Sequence, residues 1–175
     1  MKSKKCKVCK AEFTPIYTTT QNTCSVTCAV TLANKKRESD WKERKTKLKK
    51  ELLTVQDYIK IAQQVFNKYI RLRDQLKPCI SCGVKLGTKY DAGHFYSSGG
   101  HYAVRFDERN VHAQCVACNQ HKHGNLIEYR KGLLSKIGYD EFALLEVDAK
   151  QTRKFSVDEL KEIIETYKNK IKNIK

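Results

Sequence analysis

Apolar residues recur at intervals of three and four in two long stretches of this chain. From Val55 the series runs through Tyr58, Ala62, Val65, Tyr69, Leu72 and Leu76, with Ile59 and Phe66 widening it, which predicts an amphipathic helix with one core face. Thr54 followed by Asp57 has the form of an N-cap, and Pro78 ends the helix. Such a stripe either packs on a core within the chain or forms a dimer seam. Later, Ser156 and Glu159 make a capping-box pattern ahead of Leu160, Ile163, Ile164, Tyr167, Ile171 and Ile174, predicting a second amphipathic helix. Ala29 to Leu53 is a charged run instead, with nine Lys or Arg against four Asp or Glu. The pairs Glu38 and Lys42, Asp40 and Arg44, Glu43 and Lys47 lie acid before base at i,i+4, so this run is expected to be a solvated helix.

Between the two amphipathic segments the pattern shortens. Lys89 to Phe95 and Tyr102 to Phe106 have the aromatic and β-branched content of strands, separated by the turn-forming Ser97-Ser-Gly-Gly100. From Cys118 the pattern predicts a helix interrupted or restarted near Gly124. The expected order is strand, turn, strand, helix.

Cysteine spacing adds a constraint that periodicity does not supply. Eight cysteines come as four close pairs, Cys6 and Cys9, Cys24 and Cys28, Cys79 and Cys82, Cys115 and Cys118. Two residues between thiolates let one turn present both sulfurs to a tetrahedral zinc, and two such turns complete its shell. Two structural zinc ions are therefore expected, ahead of disulfides or plain buried thiols. A four-thiolate site has no position for water, so these metals hold the fold and do no chemistry.

Charge narrows the partner. Thirty-five Lys and Arg against nineteen Asp and Glu in 175 residues give +16, which implies a polyanion, nucleic acid before acidic lipid. No run of 18 apolar residues exists and the opening MKSKKCKVCK has no apolar stretch, so a soluble, cytoplasmic protein without membrane contact is expected. The segments divide as a zinc knuckle at 1–33, basic and amphipathic helices at 34–77, a core holding the second set of cysteines at 78–132 and C-terminal helices at 133–175.

Four motifs in order carry a family resemblance: Cys79-Ile-Ser-Cys82-Gly, Asp91-Ala-Gly-His94, Asn110-Val-His-Ala-Gln-Cys115 and Cys118-Asn119-Gln-His-Lys. Fifteen residues separate His94 from Asn110 and eight separate Asn110 from Asn119. This stretch resembles the zinc-supported HNH, or ββα-metal, nucleases. More narrowly it resembles the lambdoid phage NinG (Rap) recombination endonucleases, related in pattern to phage endonuclease VII. The resemblance implies an α+β fold with a small, zinc-stapled, treble-clef-like ββα-metal core flanked by long helices. It also implies a phage-encoded enzyme in the bacterial host that cuts branched DNA, Holliday junctions included. Symmetric nicking of a four-way junction requires two sites, hence a homodimer through the helices at 29–77.

Chemistry gives these residues roles. Hydrolysis of a phosphodiester needs water deprotonated near neutral pH, and His94, at the end of the first strand, is the candidate general base. One catalytic Mg²⁺ or Mn²⁺ is expected, with Asp91 and Asn119 as oxygen donors. Under the resemblance, Asn119 is the final residue of the motif and Asn110 the middle Asn that positions the base. Asp91 stands three residues before His94, and on a regular strand the two point to opposite faces, so a shared site needs a bulge, which Gly93 permits. Outside this constellation Asp91 reads as a turn or cap residue. His123, four residues after Asn119, is a further candidate metal ligand if the helix continues. Arg105, Arg109 and Lys122 are candidates for DNA phosphate contact, or members of a general basic field. His112 and His121 are open to a chemical or a hydrogen-bonding role, and His101 reads as a solvated loop residue. The competing reading is a non-catalytic zinc-finger protein that binds nucleic acid. A redox or zinc-buffering protein would have no use for this charge.

Overall fold

The computed structural model describes residues 2–174 and divides the chain into two compact units, residues 1–53 and 54–175. The charged helix thus belongs to the first unit and the amphipathic helix beginning at Val55 to the second.

In the first unit, β1 (Lys4–Lys5) pairs antiparallel with β2 (Glu12–Phe13). A loop then leads to α1 (Val26–Glu51). Gln21 fixes that loop: its Oε1 accepts from the amides of Ile16 at 2.9 Å and Tyr17 at 3.2 Å, and its Nε2 donates to the Thr23 carbonyl at 2.8 Å. Ser25 starts α1 by accepting the Cys28 amide on its hydroxyl at 3.3 Å. The helix is solvated almost throughout, as its i,i+4 charge pairs lead one to expect, and the chain's single Trp, Trp41, is 60% exposed on it.

The second unit is built around a hairpin. β3 (Tyr90–His94) pairs antiparallel with β4 (Val111–Cys115) in an unbroken register, Tyr90 opposite Cys115 and His94 opposite Val111. The second strand therefore lies nine residues beyond the predicted Tyr102–Phe106. That segment instead makes a 3₁₀ turn at Tyr102–Val104, because its apolar side chains separate into different clusters. Val104 packs with Tyr129, Leu133, Phe142 and Leu145, whereas Tyr102 and Phe106 pack with Ile59, Phe155 and Leu160. A straight strand with period two cannot serve both.

Helix α2 (Val55–Arg73) carries the expected capping box between Thr54 and Asp57. Its stripe is covered inside the chain: Ile59 and Ala62 join α4 (Val157–Ile174), and Phe66, Tyr69 and Ile70 join Val111 and Tyr167. Of the two readings of the stripe, packing within the chain is the one formed. Leu76, counted in the stripe, lies past the helix end and is 95% exposed. The Ser156 and Glu159 capping box also forms, with each backbone amide bonded to the other's side chain at 2.7 and 3.2 Å. Between the hairpin and α4, α3 (Leu126–Ala149) follows a restart at Gly124 and Asn125, both with positive φ, and is kinked at Gly138. Two small antiparallel sheets and long helices make this a mixed α+β protein. Among the described residues no helix is long and apolar enough to cross a membrane.

The buried end of α2 is held by charge. Asp74, 1% exposed, takes Arg73 at 2.7 Å, Lys77 at 3.1 Å and Lys136 at 3.7 Å, and accepts the Ala113 amide at 3.2 Å. Burial opposes its charge, but Arg73 and the two lysines outweigh that and hold the carboxyl well below its ordinary range.

Candidate functional site

The cysteines gather as two tetrads, Cys6, Cys9, Cys24 and Cys28 in the first unit and Cys79, Cys82, Cys115 and Cys118 in the second. All eight thiols are free of disulfides. A tetrahedral zinc with bonds of about 2.3 Å sets its sulfurs about 3.8 Å apart. The contacts Cys9 to Cys24 at 3.5 Å, Cys24 to Cys28 at 3.8 Å and Cys82 to Cys115 at 3.8 Å match that spacing. Further donors favour thiolate: the Cys115 amide points at the Cys79 sulfur at 3.4 Å and the Asn125 side chain at the Cys118 sulfur at 3.5 Å. Burial disfavours ionised Cys79, yet neighbouring amides bring it down to about 7. Crowding by the Cys9 and Cys6 thiols pushes Cys24 up to about 12. Four sulfurs this close need a cation to ionise together, so both tetrads fit structural zinc.

The second tetrad positions the remaining chemistry. Cys115 ends β4, and Cys118 lies in the π-helical turn Ala117–His121, which carries Asn119 on the next residue. Asn119 Nδ2 donates to Asp91 Oδ2 at 2.9 Å, and Gln120 Nε2 donates to the same oxygen at 2.9 Å. Asp91 and Asn119 are thus brought together. The turn ends at His121, and His123 follows in a left-handed conformation with φ 47°. The helical face that would have stacked His123 over Asn119 is not formed, and His121, Lys122 and His123 are exposed.

His94 is placed differently. The β3 ladder has no bulge, so Asp91 and His94 leave opposite faces of the strand. Gly93 serves close approach instead of a bulge: a Cβ there would stand 2.2 Å from the Gln114 side-chain oxygen. The His94 ring lies against α2, its Nε2 3.2 Å from the Arg105 carbonyl and 3.4 Å from Gln63 Nε2. A carbonyl accepts only from a protonated nitrogen, so this contact favours a proton on Nε2. Burial lowers the pKa of His94, opposed by the Arg105 and Ala92 carbonyls.

Asn110 is fully buried and fully bonded. Its Oδ1 accepts the Tyr96 amide at 2.8 Å, and its Nδ2 donates to the Tyr96 and Val104 carbonyls, both at 3.0 Å. It therefore pins the chain that leaves His94 to the loop before β4. His112, two residues on, is buried, and burial with the nearby Lys136 and Arg73 charges lowers it to about 3. His101 stacks on Tyr96 with centroids 5.1 Å apart.

Among the sequence-chosen cations, Arg109 is held by Asp107 at 2.6 Å, Asp148 at 2.7 Å and Glu141 at 3.2 Å. Arg105 donates to Gln63 at 2.8 Å and to the Ser98 carbonyl at 3.0 Å, and covers the Tyr102 and Phe106 rings. Both guanidinium groups are committed inside the fold. Sequence reasoning passed over Gln63 and Gln120. Gln63 had a signal, since Gln63, Asn67 and Arg71 make a polar row at i,i+4,i+8 beside the apolar stripe of α2. Gln120 had none, because its contact depends on the π-turn.

Fold and site define a mixed α+β protein whose two cysteine tetrads are suited to structural zinc. The family model described as Bacteriophage Lambda NinG protein matches residues 1–175, and the chain belongs to that family. Protein ninG of Escherichia phage 933W is 37% identical, with 98% of this chain and 94% of that protein covered. Protein ninG of Escherichia phage lambda is 43% identical over 75% of this chain and 64% of that protein. The same protein of Salmonella phage P22 is 44% identical, with the same coverage. No solved structure matches.

Proposed function

We propose that this chain is a metal-dependent endonuclease acting on branched DNA, four-way junctions included. The observation that supports it most is the Asp91 and Asn119 pair beside the second cysteine tetrad. Both amide donors converge on Asp91 Oδ2, so Asp91 Oδ1 and Asn119 Oδ1 have no hydrogen bond among the described residues. These two oxygens are donors of the kind Mg²⁺ or Mn²⁺ takes, and residues 91 and 119 would hold that ion. When bound, the ion neutralises phosphate charge and stabilises the leaving oxygen. His94, whose ring burial holds below its ordinary pKa, is the group to take a proton from water.

A homodimer supplies the two sites a junction needs. With most of the α2 stripe covered, α1 offers the exposed apolar side chains Val30, Trp41 and Leu48. Gel-filtration mass tests this. The competing reading, a zinc protein that binds nucleic acid without cutting it, draws support from the regular β3 ladder that separates His94 from Asp91.

Cleavage of a labelled synthetic four-way junction in Mg²⁺ or Mn²⁺ decides between them. Under our reading the wild-type chain cuts, and His94→Ala and Asn119→Ala each lose about 100-fold or more in rate while zinc content stays unchanged. Binding with no metal-dependent cutting, or cutting indifferent to His94→Ala, removes the endonuclease assignment.

A further inference from the structure

Arg105 and Arg109, the arginines chosen from sequence for phosphate contact, are engaged within the fold, which leaves open where a chain of this charge takes hold of a nucleic-acid backbone. A cleft of about 730 Å³ lies between the end of α2 and the start of β3, lined by Lys68, Arg71, Thr88, Lys89, Asp91 and Gln120 among others. Lys68 and Lys89 are exposed and Arg71 is half-buried. None of the three is paired with a carboxylate among the described residues, in contrast to Arg73 and Arg109 in the same unit. The backbone supporting them is fixed: the Tyr90 hydroxyl donates to the Arg71 carbonyl at 2.9 Å, tying the last turn of α2 to β3.

We propose that this cleft grips the DNA backbone, with Lys68, Arg71 and Lys89 as its phosphate-contacting residues. The inference rests on the endonuclease reading only for the identity of the DNA, since the grip itself needs no chemistry. Three unpaired cations, Lys68 and Arg71 on α2 and Lys89 next to the first residue of β3, present positive charge as a polyphosphate requires. Thr88 and Gln120 add uncharged hydrogen-bonding groups. Asp91 is the one carboxylate in this lining, and it is the residue proposed to hold the metal ion. A strand gripped here would be delivered to that carboxylate directly.

Salt dependence of binding tests the proposal. Anisotropy of a fluorescein-labelled four-way junction is measured in EDTA, so that cutting plays no part, across rising KCl. The full chain carrying Lys68→Ala, Arg71→Ala and Lys89→Ala is compared with one carrying Lys150→Ala, Lys154→Ala and Lys161→Ala, which removes equal charge elsewhere on the same unit. Zinc content and melting temperature confirm that both fold. The cleft variant is expected to lower the slope of log K against log[salt] by about 2 to 3 and to weaken binding about 10- to 100-fold near 0.1 M salt. The control is expected to change the slope by less than about 1. Equal losses from both variants, or unchanged binding by the cleft variant, overturn the proposal. Should cleft-dependent binding be found in a chain that never cuts, the grip stands and the endonuclease reading falls. Cutting and binding that ignore the cleft variant have the opposite meaning.

Discussion

The two cysteine tetrads are alike in composition and sulfur spacing, but the regions they hold are not. Around Cys6, Cys9, Cys24 and Cys28 the fold offers two strands of two residues each and a solvated helix. None of the three hydrophobic clusters reaches into residues 1–53. Around Cys79, Cys82, Cys115 and Cys118 the hairpin is flanked by those clusters and by the ion network centred on Asp74. One motif therefore serves two purposes. In the first unit a metal held by the tetrad would take the place of a core, whereas in the second it would refine the position of residues that a core already holds.

Metal removal should give the largest difference. Zinc binding contributes on the order of 10–16 kcal/mol to small zinc-dependent folds. Chelation, or Cys6→Ser, should therefore release residues 4–25 to hydrogen exchange at the rate of an unfolded chain. Cys82→Ser should loosen the turn around Asn119 while α2 and α4 stay protected. Protection of residues 4–25 without metal would break the comparison.

Histidine titration should act on the second unit alone. The first unit has no histidine, and the second buries His112 at about 3 against an ordinary value of 6.5. As pH falls, the unfolded chain takes up that proton first, so stability present above about 6.5 is lost between about 6.5 and 3, at roughly 1.4 kcal/mol per pH unit. The depressed Asp74 carboxyl adds its loss only below about 3.8. Urea unfolding of the second unit between pH 7 and 5.5 measures the first effect, and His112→Gln should flatten it. A slope left intact by that variant would assign the acid response to other groups.

The smallest effect separates capping from metal. Ser156→Ala removes one half of the box that starts α4 and should cost about 1 kcal/mol, with no change in zinc content. Thermal melting in excess zinc gives the measurement, and a loss several times larger would mean that α4 carries more of the second unit than its covered face indicates.

Much of this frame was legible in the chain. α1, α2 and α4 follow from charge pairs, capping residues and apolar periodicity, because a helix's own neighbours at i+3 and i+4 supply much of what defines it. Both tetrads follow from spacing, because two thiolates in one turn leave few other uses. The second strand was misplaced at Tyr102–Phe106. Short apolar runs do not declare their partner, and β4 lies where Cys115 must meet Cys79 and Cys82. The expected link between Asn119 and His123 failed for a related reason, since the π-turn and the left-handed residues after it are imposed by Cys118 and the restart of α3.

Sequence by itself thus determined the family, the helices, the two cysteine tetrads and the residue types available for phosphodiester chemistry, all set by local spacing and side-chain chemistry. Tertiary structure decided which of those residues meet. It joined Asp91 to Asn119 and Gln120, turned His94 toward Gln63 and Arg105, and engaged Arg109 with three carboxylates while leaving Lys68, Arg71 and Lys89 unpaired. Those outcomes depend on contacts between residues far apart in the chain, and spacing along the chain carries no record of them.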